Sequence, residues 1–117
     1  TASGATAITC LVRVEPQGRM LYTANVGDSR AVLCQEGTAF RLSYDHKAED
    51  PDEVARIEGA GGFILKKRVL GFLAITRSFG DHTMKDFVTA NPFVRATRLD
   101  EVDCPFVILA CDGVWDV

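Results

Sequence analysis

The sequence predicts an α+β fold built mostly from antiparallel strands arranged as in a sandwich. Two observations carry this. Runs rich in β-branched residues are separated by turn residues roughly every 8 to 12 positions. Only one stretch, residues 51–60, has helical periodicity with a start and a stop signal.

Residues 5–14 (ATAITCLVRV) open the pattern as a strand, and Pro16-Gln17-Gly18 supplies a turn. Residues 20–26 and 30–35 read as the next two strands, with Gly27-Asp28-Ser29 as a tight turn between them. Glu36-Gly37 is a hairpin signal before a further extended run at 38–42, so the first strands read as a meander. Asp50 then serves as an N-cap, Pro51 suits the first helical position, and Glu53 is placed to close a capping box. Val54, Ile57 and Ala60 form the apolar face of this helix, and Gly61-Gly62 stops it. Residues 63–65, 68–70, 73–76 and 93–99 read as extended, and 79–87 as irregular or briefly helical. The last strand is 106–110, an apolar run that ends in Cys111, Asp112 and Gly113.

Composition narrows the function classes. A chain of 117 residues fits one domain, and 47% hydrophobic with 25% charged residues is ordinary for a globular protein. The net charge of -3 argues against a general nucleic-acid binder. No apolar run approaches the roughly 20 residues that span a bilayer, so no membrane partner is expected. Thr1-Ala2-Ser3-Gly4 does not resemble the start of a signal peptide. Cys10, Cys34, Cys104 and Cys111 lack CxxC spacing, and the first, second and last sit in apolar runs. They read as free thiols in a reducing compartment, cytoplasmic or nuclear. Lys66-Lys67-Arg68 is the only compact basic run, either a solvated loop or a lip for an anionic substrate.

The acids carry the chemistry. Asp28, Asp112 and Asp116 each lie at or near a strand end, beside glycine or in a turn. Carboxylates gathered at one rim suit a hard divalent cation, which takes oxygen ligands and activates a bound water. Turn formation is the competing explanation, because Asp and Gly are common turn residues. Asp45-His46 and Asp81-His82 are not automatic dyads, since neighbours on a strand face opposite ways, and both histidines read as structural. There is no GxSxG elbow, HExxH helix or Walker loop.

Five ordered blocks resemble the metal-dependent protein serine/threonine phosphatases of the PPM, or type 2C, family. Ser3-Gly4-Ala5-Thr6-Ala7 is similar to its SGSTA block, with Ala5 replacing the usual Ser or Cys. Residues 24–33 (ANVGDSRAVL) match its GDSR block. Asp45, His46, Lys47, Glu53, Arg56, Ile57, Gly61 and Gly62 follow its LxxDHK…E…RI…GG block. Residues 68–81 (RVLGFLAITRSFGD) resemble its RVxGxLAxTRxxGD block, with Leu70 where Asn is frequent, and 106–117 its FxILACDGxWDV block.

The resemblance implies part of a two-sheet antiparallel β-sandwich flanked by α-helices, with the whole chain as the central segment of a single catalytic domain. It implies phosphoserine or phosphothreonine hydrolysis on protein substrates at a binuclear Mg2+ or Mn2+ centre, with a weaker third ion. Asp112 takes the place of a core-metal ligand, and Asp28 and Asp116 join it at the third site. Residues from about Tyr44 to Lys67 correspond to the flap region that influences substrate choice. His46, Arg77 and Asp81 match recurrent positions with structural roles. The family's N-terminal acid motif, phosphate-binding arginine, DGHGG block and C-terminal GxDN block have no counterpart here. The chain is therefore expected to be an internal segment, inactive alone and prone to self-association through uncovered sheets. The alternative is a pseudophosphatase that uses the sandwich to bind partners. A phosphatase of the haloacid dehalogenase type fits poorly, because Val114 stands where it needs a second acid.

Overall fold

The computed structural model describes residues 2–99 and 103–117. In chain order the first elements are β1 (Gly4–Ala5), β2 (Ala7–Glu15), β3 (Gly18–Val26), β4 (Arg30–Gln35), β5 (Thr38–Arg41) and α1 (Pro51–Gly59). There follow β6 (Ile64–Leu65), β7 (Arg68–Val69), β8 (Phe79–Gly80), a 3-10 turn (His82–Met84), β9 (Phe93–Arg98), β10 (Val107–Ala110) and the short α2 (Asp112–Trp115). These elements form two units, each assembled from separated stretches of chain.

One unit comprises residues 8–25, 29–44 and the chain from Pro92 on. It holds two three-stranded sheets, ordered β2-β3-β9 and β10-β4-β5. β9 runs antiparallel to β3, from Met20 opposite Arg98 to Asn25 opposite Phe93. β4 is antiparallel to both neighbours, with Arg30 opposite Ala110 and Val32 opposite Arg41. Side chains alternate across a strand, so Leu21 in β3 and Ala31 and Leu33 in β4 turn inward and join Leu42 and Leu99 in one core. Each fully buried leucine contributes about 2 kcal/mol by removing apolar area from water. Ile8, Cys10, Cys104 and Val107 pack around this core.

The predicted sandwich is present, but the expected meander is not. β3 and β4 lie in different sheets, so Gly27-Asp28-Ser29 carries the chain from one sheet to the other instead of closing a hairpin. Both strands bury alternate side chains in the same core, which requires them to face each other across it. Glu36-Gly37 is a true hairpin turn, with φ of 51° and 78° as a type I′ turn demands.

The other unit comprises the residues up to Ala7, Val26–Asp28 and Asp45–Asn91. Its core is Ala48, Ile57, Val69 and Val88. α1 begins as predicted, with the Asp50 carboxylate accepting from the Asp52 N–H, and Ala60 caps its end. Its buried stripe differs from the predicted one: Glu53 and Ile57 are buried, while Ala60 is exposed. Glu53 closes no capping box. The Asp50 N–H donates to the Lys47 carbonyl, and Glu53 turns inward to two arginines.

The predicted strand at 5–14 is two elements. β1 pairs antiparallel with β8 here, whereas β2 belongs to the sandwich, and Thr6 marks the change. Residues 73–76 make isolated bridges and no strand of their own. β6 and β7 form a minimal hairpin whose turn residues, Lys66 and Lys67, adopt φ of 53° and 61°.

Candidate functional site

The C-terminal acids stand on one turn. β10 delivers Cys111 in extended conformation, and α2 starts at once with Asp112. The Asp116 N–H donates to the Asp112 carbonyl at 2.8 Å, so the two carboxylates leave the same helical turn, and both are exposed. Trp115 pins this turn to the strand ends. Its Nε1–H donates to the Ala110 carbonyl at 2.7 Å, and the Arg30 guanidinium lies over its ring, 5.6 Å from the centroid. Arg30 is also the residue paired with Ala110. The GDSR and DGxWD blocks are thus joined by a strand pair and a cation–π contact, neither of which was foreseen from the sequence.

Asp28 is placed by the other unit, half-buried, directly after Gly27. Gly27 has φ of +103°, and a Cβ there would meet the Thr6 side chain at 2.4 Å, so only glycine fits. The Gly27 N–H donates to Nδ1 of His46 at 3.0 Å, and the His46 N–H donates back to the Gly27 carbonyl at 2.9 Å. Burial and then the Arg77 charge lower the His46 pKa from 6.5 to about 4, which keeps the ring neutral and Nδ1 able to accept.

Beneath His46 lies a buried ionic array. The Glu53 carboxylate receives Arg77 Nε at 2.6 Å, Arg56 Nε at 2.9 Å and the Thr76 hydroxyl at 3.1 Å. Burial alone would raise the Glu53 pKa, but the hydrogen bonds from Arg77 and Arg56 and their charges prevail and lower it. Arg56 also donates to the Phe87 and Thr76 carbonyls, and Arg77 to that of Asn91. This array escaped the sequence reading, which used Glu53 as a cap. One signal for it existed: an acid on the same stripe as Ile57 must be buried, and a buried carboxylate needs cationic partners.

His46 and Asp81 have the predicted structural setting. Asp81 adopts φ of 50° and accepts from the Ser78 hydroxyl at 2.6 Å, and a Cβ on Gly4 would strike its carboxylate. His82 is exposed at the start of the 3-10 turn. In the 44–67 region, the ring of Tyr44 packs against Phe93 at 5.8 Å, α1 fills the middle, and the basic run 66–68 is exposed.

Carboxylate oxygen is the donor that magnesium or manganese takes, so Asp28, Asp112 and Asp116 suit such an ion in kind. Asp112 and Asp116 are brought together; Asp28 is held in the other unit. Among the described residues, no group of three or more His, Cys, Asp or Glu side chains is gathered so as to hold a metal. No described helix is long and apolar enough to cross a membrane.

Comparison with known proteins defines the class. The family model described as Protein phosphatase 2C matches residues 1–117, and the chain belongs to that family. It is 48% identical to Protein phosphatase 2C homolog 1 of Saccharomyces cerevisiae over 98% of this chain and 45% of the relative. It is 47% identical to the Schizosaccharomyces pombe protein of the same name over 97% of this chain and 33% of the relative. The chain therefore spans less than half the length of these curated relatives. A solved structure described as a C. elegans sex determining protein superimposes with a TM-score of 0.87 at 30% identity, covering 97% of this chain and 28% of that one. A phosphatase from a pathogenic strain of Toxoplasma gondii gives 0.72 at 30% identity, over 96% of this chain and 47% of that one.

Proposed function

We propose that this chain is the central segment of a single catalytic domain that hydrolyses phosphoserine and phosphothreonine on proteins with Mg2+ or Mn2+. One observation carries the reading. Arg30 pairs with Ala110 and its guanidinium lies over the Trp115 ring, so the turn that carries Asp112 and Asp116 is held at the end of β10. In this reading Asp112 holds a core metal, and Asp28 and Asp116 serve a weaker third one. Bound there, such ions would lower the pKa of a coordinated water and so supply a hydroxide nucleophile near neutral pH. The chain's own part is to hold the carboxylates: Trp115 and Arg30 fix the turn carrying Asp112 and Asp116.

The 117 residues alone have no turnover, because two exposed acids on one turn hold a divalent ion weakly. Four free thiols support a reducing, cytoplasmic or nuclear setting. The test is Mn2+-dependent hydrolysis of a phosphothreonine peptide by the complete protein and its Asp112→Asn variant. The variant is expected to lose at least about a hundredfold in kcat, in line with loss of a metal ligand or its support. Undiminished turnover refutes the site. A complete wild-type protein that binds the peptide without hydrolysing it establishes the pseudophosphatase instead.

A further inference from the structure

We infer that His46 is a positioning residue for Asp28, acting through a two-point clamp on Gly27. The inference rests on the reading of Asp28 as a metal ligand. Glycine at a φ of +103° is the residue with the greatest freedom to leave that conformation, so holding the glycine helps to direct the acid that follows it. Both backbone polar groups of Gly27 are held by one residue. Its N–H donates to the His46 ring at 3.0 Å, and its carbonyl accepts from the His46 N–H at 2.9 Å. The third side is closed by Thr6, and a Cβ on Gly27 would also lie 3.1 Å from the Arg77 carbonyl.

His46 is itself anchored. Its ring is buried, with 1% of the residue exposed, and its carbonyl accepts from the Thr76 N–H at 3.0 Å. The Thr76 hydroxyl in turn bonds Glu53, which Arg77 and Arg56 hold. The path Glu53–Thr76–His46–Gly27 consists of hydrogen bonds between buried groups, and its last member adjoins Asp28. A histidine that merely filled space would not require Nδ1 to be an acceptor. Here the acceptor is used, and burial with the neighbouring guanidinium charges keeps it unprotonated.

Two substitutions separate positioning from packing. His46→Leu keeps much of the volume but removes the acceptor at Nδ1. His46→Asn is smaller yet places a carbonyl oxygen near the same point. The experiment is a calorimetric Mn2+ titration of the complete protein, with Asp28→Asn as reference and amide hydrogen exchange at Gly27 measured in parallel. The expected result is weakening of the Asp28-dependent Mn2+ step by about tenfold in His46→Leu, the scale of one neutral hydrogen bond. His46→Asn should recover most of that affinity, and Gly27 exchange should accelerate in the leucine variant only. Equal weakening in both variants overturns the clamp, as does wild-type affinity in His46→Leu when Asp28→Asn is weakened. If Asp28→Asn leaves Mn2+ binding unchanged, the ligand reading fails. Gly27 exchange then decides the clamp alone: acceleration confined to the leucine variant upholds it, and equal rates in both variants overturn it.

Discussion

Acidification should destabilise this protein through His46 before any displaced carboxylate contributes. The folded ring takes up its proton at a pKa of about 4, against 6.5 when the chain is unfolded. Between those values the unfolded state binds more protons, so stability falls as pH falls. Each unit of pKa difference is worth about 1.4 kcal/mol, and integration from about pH 8 to about pH 5 gives a loss of about 2 kcal/mol. Glu53 has the same sign in a lower window. Its pKa is held below 4.5, so its contribution is intact above that value and is lost only as pH falls further. The range from 6.5 down to 4.5 therefore isolates the histidine. Urea unfolding at about pH 8 and about pH 5, in chelator so that metal binding adds no pH dependence, measures the loss directly. His46→Asn should be less stable at the higher pH but should lose little more on acidification. A wild-type loss below about 0.5 kcal/mol, or an equal loss in the asparagine variant, refutes the account.

Glu53→Ala leaves two guanidiniums without their carboxylate and should cost about 3 kcal/mol, the low end for a broken buried pair, because 28% of the Arg56 side chain and 22% of that of Arg77 remain exposed. Gly27→Ala combines a disfavoured φ with a 2.4 Å approach to Thr6 and should cost about 3 kcal/mol in a urea melt; a near-neutral result would show that the turn can relax. Leu42→Ala, at a fully buried site in the sandwich core, should lose about 2–5 kcal/mol, read as a lower urea midpoint at unchanged slope. The isolated 117 residues expose Val14, Val94, Phe106 and Ile108, and sedimentation velocity should show association rising with concentration; a stable monomer at high concentration counts against it.

Local signals reported the elements faithfully where one residue type decides the backbone. Asp50 and Pro51 started α1 where they should, and Glu36-Gly37 made the predicted turn. Pairing was less legible. Nothing local in residues 20–35 says that β3 and β4 part company, because the partners that separate them, β9 and β10, lie some 70 residues downstream. Lys66 and Lys67 gave no turn signal, since neither residue favours a positive φ, and the short hairpin imposes it. Among the candidate site residues, the acids Asp28, Asp112 and Asp116 stand out in the sequence as strand-end carboxylates. The contacts that hold the turns carrying them do not: His46 bonds Gly27, 19 positions away, and Arg30 meets Trp115 across most of the chain.

The stretches that build the two units alternate along the chain, and this has a consequence during synthesis. β4 can pair with β5 as soon as both leave the ribosome, yet β3 must wait for Phe93–Arg98 and β4 for Val107–Ala110 before either sheet is complete. Leu21, Ala31 and Leu33 emerge early and remain without Leu99 and Val107 until those residues are made. At about 5–20 residues per second, that interval lasts several seconds, far longer than hydrophobic collapse. Over that interval the nascent chain presents apolar strands whose outer pairing edges are still unfilled, the state in which strands of neighbouring copies would most readily join.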